Sequence, residues 1–318
     1  MITTVAGITS AISAGQQFKT SWNKTFPANG VAGFWFNTFC MGGQPAAGGY
    51  SGSTLAFNQM FGSFNASYPP WAPTTGRIYC GENVTPLIKH LVNLEIVSST
   101  TSAAPGWLVL VDLLVNYPGI QMNTWITPQS FNNTINLGSN SWNGYVLPRY
   151  TNGVGVQMFI EPYPSALGGS ATTIQSLSYT NTLGNASSVP AAAYVTNITI
   201  PASVPLYTVA HSGLAQNEFS PFLPLAGGDQ GIQSVSSIQL TAGMGASTAA
   251  LILCKPLATI PLITSVTATN VTATVKDFIF NMPTFPRIYD GACLAFLYYS
   301  SSTPTTPAFY GTLDFVWG

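Results

Sequence analysis

The chain offers little for chemistry: two histidines, nine carboxylates, four cysteines and eight Lys or Arg among 318 residues. His90 lies in the strand-like run Lys89-His90-Leu91-Val92-Asn93-Leu94-Glu95, and His211 lies in a Ser/Gly-rich stretch. Neither sits in a nucleophile motif. The sequence has no Gly-x-Ser-x-Gly elbow, no phosphate-cradling loop, no dinucleotide fingerprint and no His-Glu-x-x-His. A Ser-His-Asp triad can draw its members from distant positions, so sequence alone leaves it open, but nothing here singles one out. Glycoside hydrolysis needs two facing carboxylates. The candidates are Glu82, Glu95, Asp112, Glu161, Glu218, Asp229, Asp277, Asp290 and Asp314. Gly228-Asp229-Gln230-Gly231 reads as a tight turn, without the several oxygen-bearing side chains of a calcium loop. Cys40, Cys80, Cys254 and Cys293 match neither zinc spacing nor a dense disulfide framework. Cys254 and Cys293 fall in apolar runs, so free buried thiols are expected. The expectation is a non-enzymatic protein with no cofactor-binding or metal-binding residues.

One polar spacing occurs twice. Leu147-Pro148-Arg149-Tyr150-Thr151-Asn152-Gly153 and Phe285-Pro286-Arg287-Ile288-Tyr289-Asp290-Gly291 both read apolar-Pro-Arg-x-x-Asn/Asp-Gly, and both lead into an apolar run. Proline fixes φ and ends a strand. Asn-Gly or Asp-Gly tolerates positive φ and reverses the chain. Pro148, Arg149, Asn152, Gly153, Pro286, Arg287, Asp290 and Gly291 are therefore read as structural turn residues. Each arginine has two readings. Its fork satisfies loop carbonyls or a nearby carboxylate, or it contacts a ligand or a neighbouring subunit.

The two turns belong to a longer repeat. Arg149 and Arg287 are 138 residues apart; Pro118 and Pro261, which follow similar apolar runs, are 143 apart. Leu91 to Ile96 parallels Val235 to Leu240 at 144, and Ile174 to Tyr179 parallels Tyr310 to Phe315 at 136. Four segments in one order with slowly drifting offsets predict a duplicated module. The expected organisation is an N-terminal arm and aromatic/Gly-rich loop region over 1–83, a first β-module over 84–181, a connecting insertion over 182–227 and a second β-module over 228–318. Gly42 to Pro73, with Tyr50, Phe57, Phe61, Phe64, Tyr68 and Trp71, is read either as a loop folded over the barrel or as an arm packing on a neighbour.

The elements carrying these segments read as strands: Val109 to Leu114, Val156 to Ile160, Ile174 to Tyr179, Ala191 to Ile200, Ser234 to Leu240, Ala249 to Cys254, Ala292 to Tyr299 and Gly311 to Trp317. Each is rich in β-branched or aromatic residues and bounded by Gly, Pro, Asn or Ser. With 30 Gly and 23 Pro and no long helix pattern, the fold class is all-β, as two tandem β-sandwich or jelly-roll-like modules. Val5, Ile8 and Ile12 at helical spacing predict a short helix in the N-terminal arm. No apolar stretch has the length of a membrane-spanning helix. The Asn-x-Ser/Thr sequons at Asn65, Asn83, Asn197 and Asn270 are what chance gives in a chain this rich in Asn, Ser and Thr.

Only 5% of residues are charged and the net charge is −1, against about 25% charged in an ordinary soluble domain. Few charges mean weak repulsion between copies, so an assembled state is expected. Scattered cations and a near-neutral balance argue against direct nucleic-acid binding, which runs on Lys and Arg.

Pro221-Phe222-Leu223-Pro224-Leu225-Ala226-Gly227-Gly228-Asp229, the two Pro-Arg turns and the ending Phe309-Tyr310-Gly311-Thr312-Leu313-Asp314-Phe315-Val316-Trp317-Gly318 resemble virion structural proteins of bacteriophages, of the capsid shell or decoration type. Double jelly-roll coat proteins match the duplication in kind only. The resemblance implies a capsid component, coat or cement, with no catalytic residues. A virion component assembles in the host cytoplasm with itself and other capsid proteins; the charge-poor surface and two modules per chain lead to the expectation of a closed homotrimer. The alternative is a tail or receptor-binding protein that contacts carbohydrate through exposed aromatics such as Trp71, Trp125 and Trp142.

Overall fold

The computed structural model describes residues 2, 4–25, 32–50, 59–60, 76–98, 106–131, 135–136, 141–142, 147–189, 198–210, 220–262, 273–281, 285–300 and 308–318. Those residues form an all-β architecture of antiparallel sheets. The central sheet runs in space β10 (Gln157–Pro162), β15 (Thr248–Leu262), β6 (Gly106–Gln121), β18 (Cys293–Ser300) and β2 (Trp35–Asn37), with β4 (Gln59–Met60) beside β6. A second sheet runs β16 (Ala273–Asp277), β5 (Lys89–Ser98), β19 (Ala308–Trp317), β1 (Gln17–Thr25) and β3 (Gly42–Gln44), with β17 (Arg287–Ile288) beside β5. A third runs β12 (Ala186–Val189), β11 (Thr172–Asn181), β14 (Ile232–Leu240) and β7 (Gln129–Ser130), with β13 (Ile198–Ile200) beside β11. A small ribbon joins β8 (Ile135–Asn136) and β9 (Ser141–Trp142).

Burial follows the sequence pattern. β6 is buried without alternation from Leu108 to Ile120, as its continuous apolar run requires of a strand covered on both faces. Leu108, Leu110, Leu253, Phe296 and Tyr298 share one core with Leu94 and Leu313 of the second sheet and Leu177 and Ile238 of the third. The opposite face carries Val109, Val111, Ile252, Ala295 and Leu297, under Trp35, Phe39, Tyr50 and Val209. Prolines survive in β15 because its partner β10 reaches only from Ala249 to Cys254. Pro256 and Pro261 lie past that reach, where β15 is an edge on that side.

Helix α1 (Val5–Ser13) is capped by the Thr4 hydroxyl accepting from Gly7 N–H and buries Ile8 and Ala11. They pack with Val92 and Val316. Val5 and Ile12 face outward, so the helix turns a narrower face inward than the spacing suggested. A single turn, α2 (Phe278–Asn281), is the other α-helix among the described residues, and no helix there is long and apolar enough to cross a membrane. Of the expected strand Ala191 to Ile200, residues 191–197 lie outside the described residues, as do 51–58 and 61–75 of the aromatic/Gly-rich region.

The division into 84–181 and 228–318 does not separate the sheets. β5 pairs β19, β6 pairs β15 and β18, and β11 pairs β14, so each of the three larger sheets mixes strands from both stretches. This corrects the expectation of tandem, self-contained modules. The two longest strands, β6 and β15, pair along most of their length in the central sheet.

The registers carry a regularity. Asp112 and Lys255, 143 apart, stand directly opposite each other; around them Val111 faces Pro256 and Leu113 faces Cys254, each facing the residue 143 positions from the other member. Leu108 pairs Tyr298 and Leu251 pairs Ile160, so the outer partners are 138 apart. Leu94 pairs Leu313 and Ile238 pairs Leu177, giving 144 and 136. A bulge falls at Asp314/Phe315 and another at Ser178/Tyr179, equivalent at 136.

Candidate functional site

The two Pro-Arg turns come together. Pro148, Arg149, Tyr150, Pro286, Arg287 and Tyr289 line one open groove of about 610 Å³, along with Lys255. Gly153 and Gly291 close their turns at φ 71° and 73°, the left-handed region that Asn-Gly and Asp-Gly steps accept. A Cβ on Gly153 would stand 2.5 Å from the Ile232 carbonyl oxygen, so this position excludes a side chain twice over. Asn152 Oδ1 accepts from Val154 N–H at 3.2 Å. Tyr150 also lies at positive φ, 53°.

The arginines part ways. Arg149 is buried; its Nε donates to Asp112 Oδ2 at 2.8 Å and its Nη2 donates to Asp112 Oδ1 at 2.7 Å and to the Leu113 carbonyl at 2.8 Å. Cys293 N–H also donates to Asp112 Oδ1. Burial works against this guanidinium's charge and the Asp112 carboxylate more than offsets it, raising the pKa. Arg287 is exposed, pairs His90 through its backbone and lies over the Tyr289 ring at 4.1 Å. Asp290 clamps another loop: it accepts from Val84 N–H, Thr85 N–H and the Thr85 hydroxyl, and sits 3.6 Å from Lys89 Nζ. Burial alone would raise its pKa, but these donors hold it below the usual carboxylate range.

Sequence reasoning missed a second polar cluster. Glu161, at the end of β10, is fully buried. Its Oε2 accepts from Asn37 Nδ2 at 2.8 Å and from the Tyr50 hydroxyl at 2.8 Å, and Asn37 Nδ2 also reaches the Tyr50 oxygen at 2.7 Å. Burial pushes Glu161 up to about 7, against the pull of Asn37, Tyr50 and the Cys40 thiol. The residues come from 124 positions apart, so spacing held no signal; only the short polar step Asn37-Thr38 inside an aromatic run hinted at it.

All four cysteines are free and buried. Among the described residues no group of three or more His, Cys, Asp or Glu is placed to hold a metal ion. His90 is buried beside the Phe285 carbonyl, and burial lowers its pKa. His211, Glu218 and Trp71 lie outside the described residues, and only the backbone of Trp142 is described. Trp125 is exposed.

No protein-family model and no curated protein matches the chain. Among solved structures it aligns with that of the infectious bursal disease virus Gx strain, at 8% identity and TM-score 0.19, over 95% of this chain and 81% of that one. It also aligns with the VP2 subviral particle of infectious bursal disease virus, at 7% identity and TM-score 0.18, over 94% and 80%. At those scores the superpositions carry no argument about fold or function.

Proposed function

We propose that this chain is a non-enzymatic structural component of a bacteriophage virion that forms or stabilises the capsid shell, as coat or as cement. The observation that carries the reading is a charge-poor surface bearing large apolar side chains. Seventeen charged residues serve 318 positions, while Leu183 is 81% exposed and Ile126 75%. Such a surface has little to keep copies apart and apolar area to gain by covering. The sequence resemblance to phage virion proteins points the same way.

The reading includes a duplicated β-sandwich or jelly-roll module whose copies have exchanged strands about the β6–β15 pair. The exchange-symmetric registers and the equivalent bulges support it. It also includes a homotrimer assembled in the host cytoplasm and contacting other capsid proteins, without direct nucleic acid. Three subunits of two similar units would present six blocks, which suits local sixfold positions.

One observation favours a tail or receptor-binding role instead. On the outer face of the second sheet, Tyr310 stands in a groove of about 560 Å³ beside Glu95, Asn23 and Gln44, an aromatic with a carboxylate and amides of the kind that hold sugars. Electron microscopy of particles carrying labelled chain separates the two. Hundreds of copies on the head support the shell reading, and a few copies at one vertex support the other. Light scattering is expected to give a trimer that persists from low to high salt, since screening acts on charges that are scarce. A stable monomer at micromolar concentration refutes the assembly argument.

A further inference from the structure

The groove between the two Pro-Arg turns is electrically one-sided. Among the described residues three cations and no carboxylate line it. Arg149 is already neutralised by Asp112. Lys255 stands opposite Asp112 in the ladder, but both Asp112 oxygens are taken by Arg149 and Cys293. Lys255 Nζ instead donates to the Val154 carbonyl at 3.0 Å. The ion pairs among the described residues are Lys19–Asp314, Lys89–Asp290 and Arg149–Asp112. Neither Lys255 nor Arg287 takes part. The first turn has Arg149 paired to Asp112; 143 positions on from Asp112 stands Lys255. In a chain with eight cations, two without a counter-charge among the described residues share one groove.

Their presentation suits a particular anion. The Arg287 guanidinium carbon lies 4.1 Å from the Tyr289 ring centroid and the side chain is exposed, so its N–H groups are available for the two-point grip that a carboxylate accepts. Tyr150 lines the same groove, and its hydroxyl has no hydrogen-bond partner among the described residues. Lys255 lies over the Tyr150 ring at 5.7 Å, so each tyrosine already carries a cation on its face. Two cations fall short of the track that a nucleic-acid backbone needs.

We propose that this groove is a binding site for a carboxylate supplied by another polypeptide, gripped by Arg287 and Lys255. The site stands apart from the virion reading, since the isolated chain can be tested for it. Isothermal titration calorimetry of the full chain with a capped tri-glutamate peptide should show binding that weakens as salt rises, with capped tri-glutamine silent. Arg287→Gln and Lys255→Gln should each weaken it at least tenfold, and the exposed control Lys19→Gln should leave it unchanged. Arg287 is exposed, so its variant reports even where Lys255→Gln folds poorly. Equal binding of tri-glutamine, or indifference to Arg287→Gln, overturns the proposal. Tighter binding of N-acetylneuraminic acid or inorganic phosphate than of tri-glutamate overturns the peptide assignment.

Discussion

The turns at 147–153 and 285–291 share a motif, a backbone hand and a groove, yet they hold their arginines in opposite ways. At the first, Asp112 beneath the turn draws Arg149 out of water, and the guanidinium donates two hydrogen bonds to that carboxylate and one to the Leu113 carbonyl. At the second, the position equivalent to Asp112 is Lys255, and Arg287 stays at the surface on Tyr289. The same local sequence accompanies a core ion pair in one turn and an exposed cation in the other. A turn motif therefore fixes the backbone, while the role of its charged residue is written elsewhere in the sheet.

The sharpest way to break this comparison is to truncate both arginines. Arg149→Ala leaves Asp112 buried without its counter-charge and should cost about 3–5 kcal/mol. Arg287→Ala removes an exposed side chain and should cost less than about 0.5 kcal/mol. Urea denaturation of the two variants gives the difference directly, and equal losses would mean that the turns are not held as described.

A second buried carboxylate sharpens the point. Asp112 has a guanidinium; Glu161 has only Asn37, Tyr50 and a thiol, and burial raises it from 4.5 to about 7. Its folded form thus keeps a proton that the unfolded chain has already lost, so stability falls as pH rises from about 4.5 to 7. The loss amounts to roughly 3 kcal/mol at most. Glu161→Gln should flatten that fall in midpoints measured at pH 5 and pH 8. An unchanged slope would put the pH dependence elsewhere.

The glycines separate the turns by less. Gly153→Val meets both a left-handed φ and the Ile232 carbonyl. Gly291→Val meets the φ, 73°. Both should cost about 1–3 kcal/mol, with Gly153 at the upper end; thermal unfolding of the pair checks the order.

What could be read in advance follows the same division. Period, punctuation and turn chemistry are local, so the strands around Val109, Ile174, Val235 and Leu313 and the positive φ of both glycines were legible in the sequence. The offsets 144, 143, 138 and 136 were legible too, as sequence likeness. Which strand pairs which was not, because β5 with β19 and β11 with β14 are choices among many long-range partners. The Arg149–Asp112 pair spans 37 positions and the Glu161 cluster 124. No spacing rule links such residues; only the closed sheet does. Strand β1 went unmarked because its alternation in Gln17–Thr25 is carried by two lysines, one of which, Lys24, is buried by donating to the Met41 and Pro45 carbonyls.

The smallest effect probes the surface half of the comparison itself. If Arg287 is held only by Tyr289, a double-mutant cycle of Arg287→Ala with Tyr289→Leu should return a coupling of about 0.5 kcal/mol, the size of an exposed cation over a ring. The matching cycle of Arg149→Ala with Asp112→Ala should return several times that, because each single change strands a buried charge while the double change strands none. The ratio of the two couplings is the measurement, and it is insensitive to how each variant alters the unfolded chain, since that contribution cancels within a cycle. A coupling at Arg287 as large as the one at Arg149 would require that the second arginine too has a partner of opposite charge, and the one-sided groove would then be neutral.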